Sequence, residues 1–179
     1  CHLLHHAGAP RDMSRDAPDV ILVEDDQSLR TGAAQALELE GLSVASFADA
    51  PSALQGIAKD YPGVVVSDVR LPGMDGIEMF DRLRERDRTM QVIFTTAHGD
   101  VDMAVQAMKS GAADFFTKPY SIARLAHAIR RAQEARTLEI ENRKLRSELE
   151  VREQPGMIGR SPAALRLATI AHEVAQTDT

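Results

Sequence analysis

The stretch Val64-Val65-Val66-Ser67-Asp68-Val69-Arg70-Leu71-Pro72-Gly73-Met74-Asp75-Gly76 decides the fold of this chain. An apolar run leads to Asp68, and a loop with Pro72 and Gly73 follows, so the sequence predicts a strand that ends near Asp68. Open α/β sheets place their ligand sites beyond the carboxyl ends of the strands. We therefore expect the carboxylate of Asp68 to be exposed at such a site, as a nucleophile for a phosphoryl group.

Three further strand-like segments also lead into polar residues. They are Val20-Ile21-Leu22-Val23 before Glu24-Asp25-Asp26, Val92-Ile93-Phe94-Thr95 before Thr96-Ala97, and Asp114-Phe115-Phe116-Thr117 before Lys118-Pro119. Helical patterns separate the strands at residues 27–40, 50–60, 75–86, 101–110 and from 121 onward, which favours a parallel sheet. The carboxyl ends of parallel strands share one edge, so the acidic residues, Asp68, Thr96 and Lys118 are predicted to converge.

This mixture of side chains suits phosphoryl chemistry. Carboxylates that are forced together repel one another, and a hard cation relieves the repulsion. Mg²⁺ prefers oxygen ligands and is commonly held by one or two carboxylates and phosphate oxygens. An aspartate can then attack a phosphoryl group and form an acyl phosphate, while Lys118 offsets charge on the phosphoryl oxygens and Thr96 donates a hydrogen bond to the product.

Residues 19 to about 132 resemble the receiver domain of two-component response regulators. The resemblance rests on Glu24-Asp25-Asp26, on Asp68 with Leu71-Pro72-Gly73-Met74-Asp75-Gly76, on Thr96-Ala97 and on Lys118-Pro119, in the family's order and approximate spacing. It implies a flavodoxin-like (CheY-like) doubly wound α/β fold with a five-stranded parallel sheet. It also implies a cytoplasmic regulatory domain, phosphorylated by a sensor histidine kinase, whose only chemistry is self-phosphotransfer and autodephosphorylation.

The resemblance assigns a role to each site residue. Asp68 is the phosphoacceptor, and Mg²⁺ is held by Asp26, Asp68 and the backbone carbonyl of Arg70, with Asp25 assisting through water. Thr96 and Phe115 correspond to the family's switch pair, in which the hydroxyl moves toward the phosphoryl group and the ring follows. The Lys118-Pro119 peptide bond corresponds to one that is cis in the family.

The segment from Ser121 to about Gln154 contains neither Gly nor Pro and is predicted to form one long helix. Its apolar stripe changes step near residues 132–138, as a stammer between two heptad segments would. A receiver can cover only the first half, so the remainder predicts a parallel coiled-coil homodimer with Asn142 in the seam, although a single solvated helix stays open. The dimer-linker residues are Ile122, Leu125, Ile129, Leu138, Asn142, Leu145 and Leu149.

Pro155-Gly156 is predicted to end this helix. The following Met157-Ile158-Gly159-Arg160-Ser161-Pro162-Ala163-Ala164-Leu165 resembles the start of the AAA+ ATPase domain of NtrC-class, sigma-54-dependent activators, and a Walker A motif is absent from the sequence. Residues 96–100, 103–107 and 141–145 resemble the regulators of C4-dicarboxylate transport within that class. The full-length protein would then also work with sigma-54 RNA polymerase, ATP and DNA.

The expected organisation is a disordered leader or tail at residues 1–18, a receiver domain at 19–132, a helical dimerisation linker at 133–154 and a truncated ATPase-domain start at 155–179. Residues 1–12 read as a leader, a processed segment or a cloning remnant. The net charge of −6 argues against a nucleic-acid surface in these residues. No apolar run approaches the roughly 20 residues that span a bilayer, and the single Cys1 permits no internal disulfide.

Two other functions remain open at this point. A haloacid-dehalogenase-like phosphatase also uses an aspartyl nucleophile with Mg²⁺, but it needs a second carboxylate two residues later, where this chain has Arg70. The module could also be a phosphorylation-independent dimerisation scaffold. The complete set of Asp25, Asp26, Asp68, Thr96 and Lys118 argues against the scaffold.

Overall fold

The computed structural model describes residues 17–157. The chain divides into two compact units between Glu139 and Ile140, seven residues after the predicted end of the receiver. Most of the predicted leader at 1–18 and of the predicted ATPase-domain start at 155–179 lies outside the described residues, and both stay predictions.

The predicted parallel sheet is confirmed. Its strand order is β2-β1-β3-β4-β5, all pairs being parallel, with β1 at Val20–Val23, β2 at Val44–Phe47, β3 at Val64–Asp68, β4 at Gln91–Thr96 and β5 at Asp114–Thr117. The sequence did not locate β2, because this edge strand is only half-buried and lacks a continuous apolar run.

Helices lie on both faces of the sheet. They are α1 at Gln27–Leu39, α2 at Ala50–Gly56, α3 at Gly76–Arg86, α4 at Val101–Lys109 after a 3₁₀ turn at His98–Asp100, and α5 at Ile122–Met157. One core cluster joins the sheet to α2, α3 and α4, and includes Leu54, Met79, Phe80 and Ala107. The other joins the sheet to α1 and the first turns of α5, and includes Leu37, Leu125 and Ile129.

Two helix ends differ from the predictions. Helix α2 stops at Gly56 and not near residue 60, because Ile57 adopts an extended conformation and buries its side chain in the core. Helix α5 continues through Pro155 and Gly156 to Met157. A proline lacks an N–H group, so the last turn makes one hydrogen bond fewer but remains helical.

The first residues of the predicted dimer linker belong to the receiver itself. Leu125 and Ile129 are fully buried in the core, and Ile122 packs against the same cluster. Leu125 and Ile129 therefore have no exposed surface for a second chain in this fold. Ile122 is only partly buried, and its predicted place in the dimer linker stays a prediction. Within the described part of the chain, no helix combines the length and apolar character that crossing a membrane requires.

Candidate functional site

The strand ends bring the predicted site residues to one edge of the sheet. Val23 pairs with Ser67, Asp68 with Thr95, and Thr96 with Thr117, so the segments that follow β1, β3, β4 and β5 begin side by side. This register explains why the acidic residues after β1 converge with Asp68, Thr96 and Lys118.

Both carboxylate oxygens of Asp68 accept hydrogen bonds. The Nζ atom of Lys118 lies 2.7 Å from Oδ2, and the backbone N–H of Arg70 donates to Oδ1 at 3.0 Å. Only 12% of the Asp68 side chain is exposed. A carboxylate that is fixed in this way has little freedom to rotate, so its oxygens are already oriented before a reactant arrives.

Lys118 joins two carboxylates across the site. Its Nζ atom lies 2.7 Å from Oε1 of Glu24 as well as 2.7 Å from Oδ2 of Asp68. Burial acts to lower the pKa of Lys118, but its hydrogen bonds and charge attraction to Asp68 and Glu24 outweigh burial and raise the pKa. Lys118 is therefore a fixed positive charge at neutral pH.

The same contact with Lys118 does not bring the pKa of Glu24 down to its ordinary value. Its burial raises its pKa above the ordinary value, and the hydrogen bond and charge of Lys118 offset only part of this effect, while the charge of Asp68 adds to it. The ionised form of Glu24 thus carries a net cost that a further cation would reduce.

Three carboxylates form a compact acidic cluster. Glu24, Asp25 and Asp68 each offer an oxygen within 4.8 Å of the other two, a separation that one hard cation with oxygen ligands can bridge. The residues present thus fit the predicted Mg²⁺. Sequence reasoning did not include Glu24 in the metal site.

Asp26 has a different local role from the one expected. Its Oδ1 atom accepts a hydrogen bond of 3.0 Å from the backbone N–H of Leu29 and caps α1. The cluster beside Asp68 consists of Glu24 and Asp25 and does not include Asp26, whose predicted place in the metal site stays a prediction. The preference of aspartate for helix N-caps was the signal in the sequence that could have indicated this difference.

Arg70 contacts the site through its main chain and a second acid through its side chain. Beyond the N–H bond to Asp68, its Nε atom donates to Oδ1 of Asp100 at 2.6 Å. The Arg70 side chain is largely exposed, whereas Asp100 is buried at the start of α4.

The proposed switch pair occupies β4 and β5. Thr96 is fully buried, and its hydroxyl donates to the carbonyl oxygen of Ala97 at 3.0 Å. Phe115 is half-buried and packs against the core cluster beneath α3 and α4. The Lys118–Pro119 peptide bond is cis, as expected. The switching roles of Thr96 and Phe115 stay predictions.

Comparisons with known proteins agree with this arrangement. The family described as response regulator receiver domain matches residues 20–130. The C4-dicarboxylate transport transcriptional regulatory protein DctD of Rhizobium meliloti is 44% identical over 163 residues, and that of Pseudomonas aeruginosa is 47% identical over 150 residues. These alignments cover 90% and 83% of this chain but only 35% and 32% of the two regulators, so the chain spans about a third of their length.

Solved structures show the same fold. The response regulator StyR is 32% identical with a TM-score of 0.77, over 89% of this chain and 83% of that one. The receiver domain of NtrX from Brucella abortus is 33% identical with a TM-score of 0.61, over 65% of this chain and 98% of that one.

Proposed function

Because this chain belongs to the response regulator receiver domain family, we propose that it accepts a phosphoryl group on Asp68 from a sensor histidine kinase. The observation that carries the proposal is the oriented Asp68 carboxylate, with Lys118 Nζ and Arg70 N–H on its two oxygens and two more acids beside it. This set places a nucleophile, a fixed cation and a cation-binding cluster together.

The transfer exchanges one covalent bond for another. A carboxylate oxygen of Asp68 attacks the phosphorus of a phosphohistidine, the P–N bond breaks, and the electron pair returns to the histidine nitrogen of the kinase. Lys118 is placed to neutralise charge on the transferred phosphoryl oxygens. When bound, Mg²⁺ would supply further charge neutralisation, held by Asp68, Asp25 and the Arg70 carbonyl with Glu24 in support.

A groove beside the site offers a docking surface for the kinase. It has a volume of about 510 Å³ and runs between α1 and the segment that joins β5 to α5. Its lining is mostly apolar but includes Glu24 and Lys118. Because Lys118 also bonds Asp68, the groove adjoins the phosphoacceptor site. Gly32, Ala33 and Ala36 are small enough to let a partner helix approach closely, in the helix-in-groove manner.

Leu29 allows the docking surface to be tested separately from the chemistry. Its side chain lines the groove and is 51% exposed. Leu29→Glu should slow phosphorylation by the kinase while leaving phosphorylation by acetyl phosphate, which needs no docking, at the wild-type rate. Equal rates with the kinase would place its docking surface elsewhere.

The exposed half of α5 supports a homodimer. Leu138, Leu145 and Leu149 are 61%, 59% and 55% exposed, and with Asn142 they follow the alternating steps of four and three of a heptad seam. In this register Asn142 and Leu149 take a positions, and Leu138 and Leu145 take d positions. A single Asn at an a position favours two parallel strands in register, which is the arrangement that we propose.

Phosphorylation would act through this dimer. We propose that the loaded site draws Thr96 and then Phe115 inward, and that the repacking of α4, β5 and the first turns of α5 exchanges one dimer arrangement for another. By its similarity to the two DctD proteins, the complete protein would be a sigma-54-dependent activator of C4-dicarboxylate transport. Its ATPase and DNA-binding functions would reside in other parts of such a protein.

The central test is phosphoryl uptake followed by intact-protein mass spectrometry. With Mg²⁺ and acetyl phosphate, the wild type should gain one phosphoryl group and Asp68→Asn none. Incorporation at wild-type stoichiometry in Asp68→Asn would remove Asp68 as the acceptor. A wild type that takes up no phosphoryl group but remains dimeric would instead favour the phosphorylation-independent scaffold.

A further inference from the structure

Helix α5 carries a buried arginine on the face that packs against the receiver. Arg136 is fully buried, and its side chain bonds four groups in two loops. Its Nη1 atom lies 2.9 Å from Oδ2 of Asp87 and 2.5 Å from Oγ1 of Thr89. Its Nε and Nη2 atoms donate to the carbonyl oxygens of Tyr61 and Lys59 at 2.9 and 3.2 Å.

This arginine continues an apolar stripe. Leu125, Ile129 and Ala132 are buried along one face of α5, and the next position at helical spacing is Arg136. An apolar residue at that position would satisfy the pattern, and replacing a buried ion pair with apolar residues is often neutral or stabilising. The advantage of the arginine is directional, because hydrogen bonds to four fixed groups allow one orientation of the helix whereas apolar packing tolerates several.

The partners of Arg136 are themselves held in place. Asp87 follows the end of α3, its backbone N–H bonds to the Leu83 carbonyl, and its Oδ1 atom accepts from both the N–H and the hydroxyl of Thr89. Burial alone would raise the pKa of Asp87, but the bonds from Thr89 and Arg136 outweigh burial and lower it. The carboxylate is therefore ionised at neutral pH, as an anchor for a guanidinium requires.

The anchor is distinct from the phosphoacceptor site. Lys59 and Tyr61 precede β3, and Asp87 and Thr89 precede β4, so all four lie at the amino edge of the sheet. Asp68 and Lys118 lie at the opposite, carboxyl edge. Arg136 and its partners thus have no part in holding the reacting atoms.

The orientation of Arg136 determines which side of the helix is presented outward. Each residue turns an α-helix by about 100°, so Leu138 lies about 200° around the axis from Arg136. This geometry agrees with the exposure of the two residues, since Arg136 is buried and Leu138 is 61% exposed.

We propose that Arg136 is the positioning residue that fixes the rotation of α5 at the end of the receiver, and thereby presents Leu138 to a second copy of this chain. The inference rests on the proposed homodimer. In this proposal the dimer seam begins at Leu138, because Arg136 fixes the rotation of α5 against the receiver two residues earlier.

Cysteine cross-linking measures this phase directly. In a Cys1→Ser background, Leu138→Cys should form a disulfide-linked dimer under mild oxidation, and so should Leu149→Cys. Adding Arg136→Met should lower the Leu138→Cys yield several-fold and change the Leu149→Cys yield little, because the anchor acts near Leu138. Adding Arg131→Met, which changes an exposed arginine of the same helix, should leave both yields unchanged.

Amide hydrogen exchange gives a readout that needs no dimer. Arg136→Met should accelerate exchange at residues 133–139, 59–61 and 87–90 relative to Arg131→Met. If Arg136→Met does not fold, Arg136→Lys serves instead, because it keeps the charge beside Asp87 but cannot make all four bonds. Unchanged cross-linking at residue 138 together with unchanged exchange would overturn the positioning role.

The proposed dimer can fail without the anchor failing. If neither cysteine cross-links in the otherwise unchanged chain and the protein sediments as a monomer, the homodimer is wrong. Faster exchange in Arg136→Met would then still support an anchor that fixes the helix, but the presentation of Leu138 to a second copy would be overturned.

Discussion

Gly76 lies directly against the backbone of Asp68. A Cβ atom at Gly76 would stand 2.2 Å from the carbonyl oxygen of Asp68 and 3.1 Å from Oγ of Ser67. The N–H of Gly76 also donates to the Val69 carbonyl at 2.9 Å, which closes the loop after β3. The first residue of α3 therefore has to be glycine for the helix to begin this close to the phosphoacceptor.

Gly76→Ala should consequently disturb both stability and the site. The clash is with backbone, which cannot move aside as a flexible side chain could, so we expect the free energy of unfolding to fall by about 1–3 kcal/mol. Phosphoryl uptake by Asp68 should fall as well, because its carbonyl is displaced. Urea unfolding and mass spectrometry measure the two effects.

Gly32→Ala is a matched control that distinguishes the clash at Gly76 from the general effect of placing alanine in a helix. Gly32 lies inside α1, and a Cβ atom there would meet no atom within 4 Å. Gly32→Ala should therefore raise the free energy of unfolding, by up to about 1 kcal/mol from helix propensity. Similar stability changes in the two variants would contradict the close approach at Gly76.

Lys118→Met should slow phosphoryl transfer without abolishing cation binding. Lys118 supplies the positive charge beside Asp68 but no oxygen ligand, so the acidic cluster remains intact in the variant. Losing one preorganised charge should reduce the rate with acetyl phosphate on the order of 10²-fold. The exposed Lys109, changed to Met, should leave the rate unaffected, and a normal rate in Lys118→Met would exclude the proposed role.

Asp87→Asn should destabilise the protein in a pH-dependent manner. The pKa of Asp87 is lowered in the folded protein, so its stabilising contribution is present above the unfolded value of about 4 and is lost as the pH falls through the folded value. At pH 7 we expect a loss on the order of 3–5 kcal/mol, typical of a buried pair with one partner removed. Urea unfolding between pH 7 and pH 3 should show the difference from wild type shrinking toward acid, whereas a constant difference would contradict the ion pair.

Sequence patterns predicted the site well where a strand led to it. Asp68, Thr96 and Lys118 each follow an apolar run, and the parallel register brings such positions together whatever the details of the loops. Glu24 was missed because neighbouring acids after β1 differ only in their distance from the helix start, and sequence alone fixes such boundaries to within a residue or two.

Arg136 was missed for a different physical reason. A charged residue on an apolar face is expected at the surface, and only its partners explain its burial. Those partners, Asp87 and Tyr61, lie 49 and 75 residues away in loops that carry no periodic signal. The same contacts keep α5 on the receiver as far as residue 136, which is why the compact unit ends later than the predicted boundary.

The acidic cluster can also be tested by comparing the free energy of unfolding of Glu24→Gln with that of wild type. The pKa of Glu24 is raised in the folded protein, so the ionised side chain costs stability at neutral pH, and this cost is relieved as the pH falls through the folded value toward the unfolded one. In the absence of divalent cations, Glu24→Gln should therefore be more stable than wild type at pH 7, and the difference should diminish toward pH 4.

Mg²⁺ should narrow that difference in stability. A cation present at 100 times its dissociation constant stabilises the folded wild type by about 2.7 kcal/mol. Because Glu24→Gln lacks one of the three clustered charges, it should gain less from the same Mg²⁺ concentration. Asp26→Asn is the matched control, since Asp26 caps α1, and its Mg²⁺-dependent gain should equal that of wild type. A reduced gain in Asp26→Asn with a normal gain in Glu24→Gln would instead assign the cation to Asp26.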